Sequence, residues 1–186
     1  MNIGFAMCGS FCTYSEVFPV LEILASIHTV TPIFSHAAFT TDSRFGTAQE
    51  HIERAESICG KKVLCSISEV EPIGPKQLLD ALVIAPCTGN TIAKLAHSIA
   101  DGPVTMAAKS HLRNNRPILV AVSSNDALAG AAENIGKLLN KKNYYFVPFG
   151  QDDPIKKPTS MVADFKKLPQ ALELALSGKQ IQPILV

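Results

Sequence analysis

LVIAPCTGNTIAKLAHSIAD, residues 82–101, runs from an apolar strand through a small polar turn into an amphipathic helix. Leu82–Ala85 supplies the strand. Pro86-Cys87-Thr88-Gly89-Asn90-Thr91 is turn-forming and opens directly onto a helix expected over Thr91–Ala100. This order of elements places free backbone N–H groups and hydroxyls at the carboxyl edge of a sheet, where open α/β sheets bind ligands. Asn90 or Thr91 would cap the following helix. Capping alone does not account for a proline, two tiny residues and Asn-Thr-Ile-Ala-Lys in succession.

Outward from this stretch, strands and helices alternate. Asn2–Met7 reads as a first strand, and Glu16–Ile27 carries Val17, Val20, Leu21, Leu24 and Ile27 on one helical stripe. His28–Phe34 reads as a second strand, and Thr47–Cys59 as a helix ended by Gly60 at its C-cap. Val63–Ile67 is a third short extended segment. Helices are expected at Val104–Arg113, Ala127–Leu139 and Met161–Leu176, the last interrupted in its pattern by Pro169. Pro117–Val122 and Tyr144–Phe149 are the remaining strands. Strands apolar on both faces and separated by helices imply a parallel sheet covered on both sides. The fold class is therefore α/β: a single doubly wound, mostly parallel sheet with helices on both faces, forming one domain over residues 1–186.

A chain of 186 residues with 47% hydrophobic and 18% charged residues can bury a substantial core. Its 17 basic and 16 acidic residues leave a net charge of +1, mixed along the chain. That balance gives no footprint for nucleic acid or an anionic membrane surface. Apolar runs such as Ile118–Val122 are strand-sized, far short of a membrane span. The five cysteines (8, 12, 59, 65, 87) are odd in number, pointing to reduced thiols in a cytoplasm. The five histidines do not cluster with them, so no metal site is expected.

Two further loops follow strands at the same edge. Met7-Cys8-Gly9-Ser10-Phe11-Cys12-Thr13 offers close backbone approach at Gly9 and hydroxyls near a helix start. It lacks both the GxGxxG spacing of a dinucleotide fingerprint and the lysine of a P-loop. Ser35-His36-Ala37-Ala38-Phe39-Thr40-Thr41 adds more hydroxyls, with His36 as a loop histidine.

Pro86-Cys87-Thr88-Gly89-Asn90-Thr91-Ile92-Ala93-Lys94 resembles the PASANTIAK-type motif of the flavoprotein family, the homo-oligomeric flavin-containing decarboxylases and flavin prenyltransferases. Gly9-Ser10, Ser35, Ile99-Ala100-Asp101 and Asn125 match further features of that family in order. The resemblance implies FMN held by Gly9, Ser10, Phe11, Ser35, Pro86, Cys87, Thr88, Asn90, Thr91, Ser123 and Asn125. It also implies a Rossmann-like or flavodoxin-like domain and a homo-oligomer.

Departures from the family are equally informative. Its cysteine decarboxylases use a histidine that by count falls at Pro72, beside Glu71, and no histidine lies between His51 and His97. The family's PxMNxxMW-type stretch survives here only as Asn125 within Val122–Leu128, and the chain has no tryptophan. Cysteine decarboxylation is thus disfavoured, and Asn125, Asp126 and Glu71 are left as catalytic candidates.

GFAMCGSFCTYSEVFP, APCTGNTIAKLAHSIADGPVTMAAKSHLRN and VPFGQDDPIKKPTSMVAD narrow the resemblance within the family. They imply an oxidoreductase component that helps aromatise a small cyclic dicarboxylate, with NADP bound through a partner chain. Lys109, Arg113, Lys156 and Lys157 are the cations available to a dianion. The alternatives are another FMN-dependent enzyme of the family, a decarboxylase or prenyltransferase, and a noncatalytic partner chain.

Overall fold

The computed structural model describes residues 1–186. Its centre is β3 (Ala81–Cys87), every residue of which is buried. A strand buried on both faces must be apolar throughout, which is why Ala-Leu-Val-Ile-Ala reads as a continuous run rather than an alternation. β3 pairs in parallel with β1 (Asn2–Met7) on one side and β4 (Ile118–Ser124) on the other. β1 pairs in parallel with β2 (Thr29–Phe34), and the first half of β4 pairs in parallel with β5 (Tyr144–Phe146). The parallel order is therefore 2-1-3-4-5, and chain direction across the sheet reverses between β1 and β3. The carboxyl ends of those two strands flank the crevice where such sheets take ligands.

Helices cover both faces. α1 (Tyr14–Ile27) packs beside α8 (Leu168–Leu176), with α3 (Ala48–Cys59) against α1 and β2. The other face holds α5 (Gly89–Ala96), α6 (Pro103–Leu112) and α7 (Ala132–Leu139). One cluster of 51 buried apolar residues fills the layers between. α3 opens on a reciprocal capping box between Thr47 and Glu50 and closes at Gly60, whose φ of 62° suits the left-handed C-cap.

Several boundaries differ from the sequence expectation. Pro86 and Cys87 belong to β3, not to the loop: the Pro86 carbonyl accepts a hydrogen bond from the Cys8 N–H (3.2 Å), so the strand pairing continues past Ala85. The loop after β2 winds into α2 (His36–Thr40), started by the Ser35 hydroxyl accepting from the Ala38 N–H at 3.2 Å. Val63–Ile67 makes only one bridge, Leu64 to Ile33, and leads into α4 (Ile67–Val70). α7 starts at Ala132 because residues 125–131 are turns at the sheet edge.

The largest difference lies at the end of the chain. Phe149–Gln151 (β6) and Met161–Ala163 (β7) form an antiparallel pair, and β7 also pairs antiparallel with Ser123 and Ser124 of β4. Buried Met161 and Ala163 flank half-buried Val162, an alternation of strand period at the start of the stretch expected to be helical. Pro169 sits in the first turn of α8, where its missing N–H costs nothing, and so begins the helix rather than breaking it.

Candidate functional site

Four loops leave the carboxyl ends of β1, β2, β3 and β4 together. Between them lies a cleft of about 840 Å³, joined along Gly9, Thr88 and Asn90 to a smaller recess of about 340 Å³. Both volumes fall in the range of small-molecule sites. Gly9, Ser10, Phe11, Thr88, Asn90, Ser123 and Asn125 line the larger space. Ser35, His36 and Thr91 line the recess, beside Lys94, Asp101 and Gly102. Residues as distant in sequence as Gly9 and Asn125 meet because parallel strands all end at one edge.

Hydrogen bonds lock the loops to one another. The Ser10 and Ser123 hydroxyls lie 2.7 Å apart, tying the first loop to the end of β4. The Ser124 hydroxyl donates to Asp126 and accepts from the Gly89 N–H at 3.2 Å, which ties β4 to the start of α5. Thr88, not Asn90 or Thr91, caps α5, accepting from the Thr91 N–H at 3.4 Å. Thr91 in turn donates to the Cys8 thiol at 3.3 Å. Each of these polar groups is thereby engaged in structure.

Two side-chain amides are not. The amides of Asn90 and Asn125 line the cleft, are exposed, and form no hydrogen bond within the chain. Phe11 and Phe45 give the same cleft apolar surface. Phe11 is backed by Tyr14 at 5.4 Å and by the ring of His51 at 6.4 Å. His51 is nearly buried, and burial holds its pKa below the ordinary histidine value.

Pro86 and Cys87 are placed differently from the expectation. Both are buried in β3 behind the cleft surface. Burial pushes the Cys87 thiol well above its ordinary pKa, so it stays protonated and packs as a small apolar group. Glu71 lies exposed in the single turn Glu71–Ile73, among neither set of lining residues, whereas Asn125 and Asp126 both line the cleft. Lys109 and Arg113 open onto a different part of the surface.

Sequence reading missed Arg44 and Phe45, which the turn Ser43–Gly46 brings to the cleft rim. It also missed Asp152 and Ser160, carried there by β6 and β7 together with Lys157, which pairs with Asp152 at 2.9 Å. No local motif marks them. Their position depends on the antiparallel pairing of β7 with the last residues of β4.

A match to the family model described as Flavoprotein spans residues 1–169. The chain belongs to the flavoprotein family. It is 48% identical over 186 residues to the B subunit of dipicolinate synthase from Bacillus subtilis (strain 168), covering all of this chain and 93% of the relative. The crystal structure of the dipicolinate synthase B subunit from Bacillus halodurans C is similar at a TM-score of 0.91 and 46% identity, over 100% of this chain and 95% of that one. Burkholderia xenovorans DmrB in complex with FMN shares the fold at a TM-score of 0.69 and 18% identity, over 95% of each chain. The mostly parallel sheet with helices on both faces is thus the flavodoxin-like architecture of this family, as the alternating pattern implied.

Proposed function

We propose that the cleft binds FMN and that the chain is one component of a dipicolinate synthase, aiding the oxidation of a dihydrodipicolinate-type precursor to pyridine-2,6-dicarboxylate. The observation that carries the reading is the pair of unpartnered amides, Asn90 and Asn125, in a cleft where the Ser10, Ser123 and Ser124 hydroxyls are already paired. The donor set fits the group. The Ser35 hydroxyl, which accepts from Ala38 and keeps its proton free, and the N-terminal turn of α5 suit a phosphate. Phe11 and Phe45 give apolar surface for a flat ring, and the two amides supply donors and acceptors for its polar edge. Bound FMN would supply a two-electron acceptor.

The chain's own residues would do the rest. Asn90 and Asn125 bind and orient, while the Ser124 hydroxyl, held by Asp126, fixes the start of α5 against β4. Asp126 has one carboxylate oxygen engaged with Ser124 and lines the cleft, which makes it the acid or base candidate within reach of a substrate there. The missing histidine near Pro72 argues against cysteine decarboxylation. The 48% identity over the full chain, to a relative named as one lettered component of an enzyme, supports a two-component synthase. NADP would then bind to the dipicolinate synthase A subunit, and the complex would act in the cytoplasm of the mother cell of a sporulating bacterium, this chain forming a homo-oligomer.

Mixing the purified chain with the A subunit, NADP and a freshly generated dihydrodipicolinate tests this. Pyridine-2,6-dicarboxylate should form faster than with the A subunit alone and fall with Asn125→Ala. An A subunit that reaches full rate without this chain would overturn the catalytic role and favour the noncatalytic alternative.

A further inference from the structure

A second concavity lies toward the C-terminal end of α5, away from Thr88 and Asn90 at the helix start. Its volume is about 540 Å³, and it is walled by the ends of α5 and α6 and the start of β5. The floor is apolar: Leu95, Ile99, Leu112 and Tyr144. Four cations surround it, Lys109, Arg113, Lys141 and Lys142, and no acidic residue lines it. In a chain whose 17 basic and 16 acidic residues otherwise intermix, this is a local excess of one sign around one cavity.

Helix ends attract cations, and Lys109 and Arg113 stand in the last turn and at the C-cap of α6, but only one of the four bonds to helix-end carbonyls. Lys141 donates to the Leu95 and Ala96 carbonyls at 3.2 and 2.7 Å, closing the last turn of α5. Lys109, Arg113 and Lys142 make no such bond and form no ion pair, so all three charges around the cavity are uncompensated within the chain. Lys109 and Arg113 stand four residues apart at the end of α6, so they share a face, and Lys142 comes from the facing turn before β5. The backbone also bends sharply here. Ser98, Asn115 and Asn143, three of the four non-glycine residues with positive φ, are lining residues. Ser98 and Asn115 carry the chain away from the ends of α5 and α6, and so open the concavity.

We propose that this cavity, which meets the recess of the flavin cleft only at Thr105, is a second binding site for a small flat anion with an apolar body and two carboxylates. An aromatic dicarboxylate meets each feature. Its ring covers the apolar floor, and its charges meet cations that have no partner in the chain. The choice of an aromatic dicarboxylate rests on the proposed function, whose product is of this class. The site would then sense that product away from the chemistry.

Calorimetric titration of the full chain with pyridine-2,6-dicarboxylate tests this, with an FMN titration run in parallel. Saturable binding is expected, weakened about tenfold or more by Lys109→Gln with Arg113→Gln, unchanged by Asn90→Ala, and absent for neutral pyridine. The two exchanged side chains are exposed, so folding should persist, and an unchanged FMN titration of the double variant would confirm it. Binding that ignores the double substitution, or inorganic phosphate that competes as well as the dicarboxylate, would overturn the site or its ligand class. Failure of FMN alone to bind would sink the flavin reading while leaving this binding curve intact.

Discussion

Asn90 stands three residues past the end of β3, in the first turn of a helix that Thr88 already caps. Its amide is therefore free for a ligand, and its removal should cost the fold little. Asn90→Ala is expected to weaken FMN binding at least about tenfold, the worth of one or two lost hydrogen bonds. Stability should change by less than about 0.5 kcal/mol, measured by denaturant titration without flavin. Gly89 gives the contrasting case. A Cβ there would come within 2.6 Å of both Asp126 Oδ1 and Ser124 Oγ. Gly89→Ala should thus separate β4 from α5 and lower both FMN affinity and melting temperature. Retention of both would show that the Ser124–Asp126 lock does not shape the cleft.

At the scale of elements, α6 is pinned beneath the start of β4 by His111. The ring is fully buried, and Nε2 lies 3.1 Å from the Pro117 carbonyl. A carbonyl only accepts, so Nε2 carries the proton, and Nδ1 is left as an unpaired acceptor. Burial, opposed by that hydrogen bond, lowers its pKa to about 4. The unfolded chain takes up this proton near pH 6.5, and the folded one only near pH 4. Stability from neutral His111 is therefore complete above about pH 6.5 and declines as pH falls toward 4, by up to about 3 kcal/mol. Denaturant unfolding at about pH 7 and about pH 4.5 should show that decline, and His111→Gln should flatten it. An equal slope in the variant would assign the acid sensitivity to other groups.

The β6–β7 pair is the element that completes the cleft, since residues 152–160 join it and carry Asp152, Lys157 and Ser160 to the rim. Their turn is internally bonded, with Asp153 accepting from the Ile155 and Lys156 N–H groups. Shortening the turn by replacing 153–158 with two glycines should leave unfolding cooperative. FMN affinity should fall if this rim closes over the ring, and an unchanged affinity would restrict the binding site to the four strand-end loops.

For the whole molecule, a mostly parallel sheet covered by helices was legible because each interior strand is a buried apolar run and most connections have helical period, whereas the order 2-1-3-4-5 emerges only from the structure. The edge that gathers Gly9, Ser35, Thr88 and Ser123 follows from the parallel direction of their strands. Contributions that depend on non-local pairing were not legible. β7 is three residues long, and only its ladders with β6 and with Ser123 and Ser124 make it a strand. Arg44 and Phe45 reach the cleft through a turn closed by Ser43 and Gly46, with no periodic signal around them. The turn from strand to helix was legible in the motif, but Pro86 and Cys87 looked like loop while serving as strand, because a buried β3 end has no polar marker.

FMN seated in the cleft between the strand-end loops is the claim on which the rest depends. Titration of the purified, flavin-stripped chain with FMN, followed by quenching of flavin fluorescence, tests it most directly. Saturation at one FMN per chain, with affinity reduced in both Asn90→Ala and Asn125→Ala, is the predicted result. No saturable quenching in the parent chain, or parental affinity retained in both variants, would contradict it.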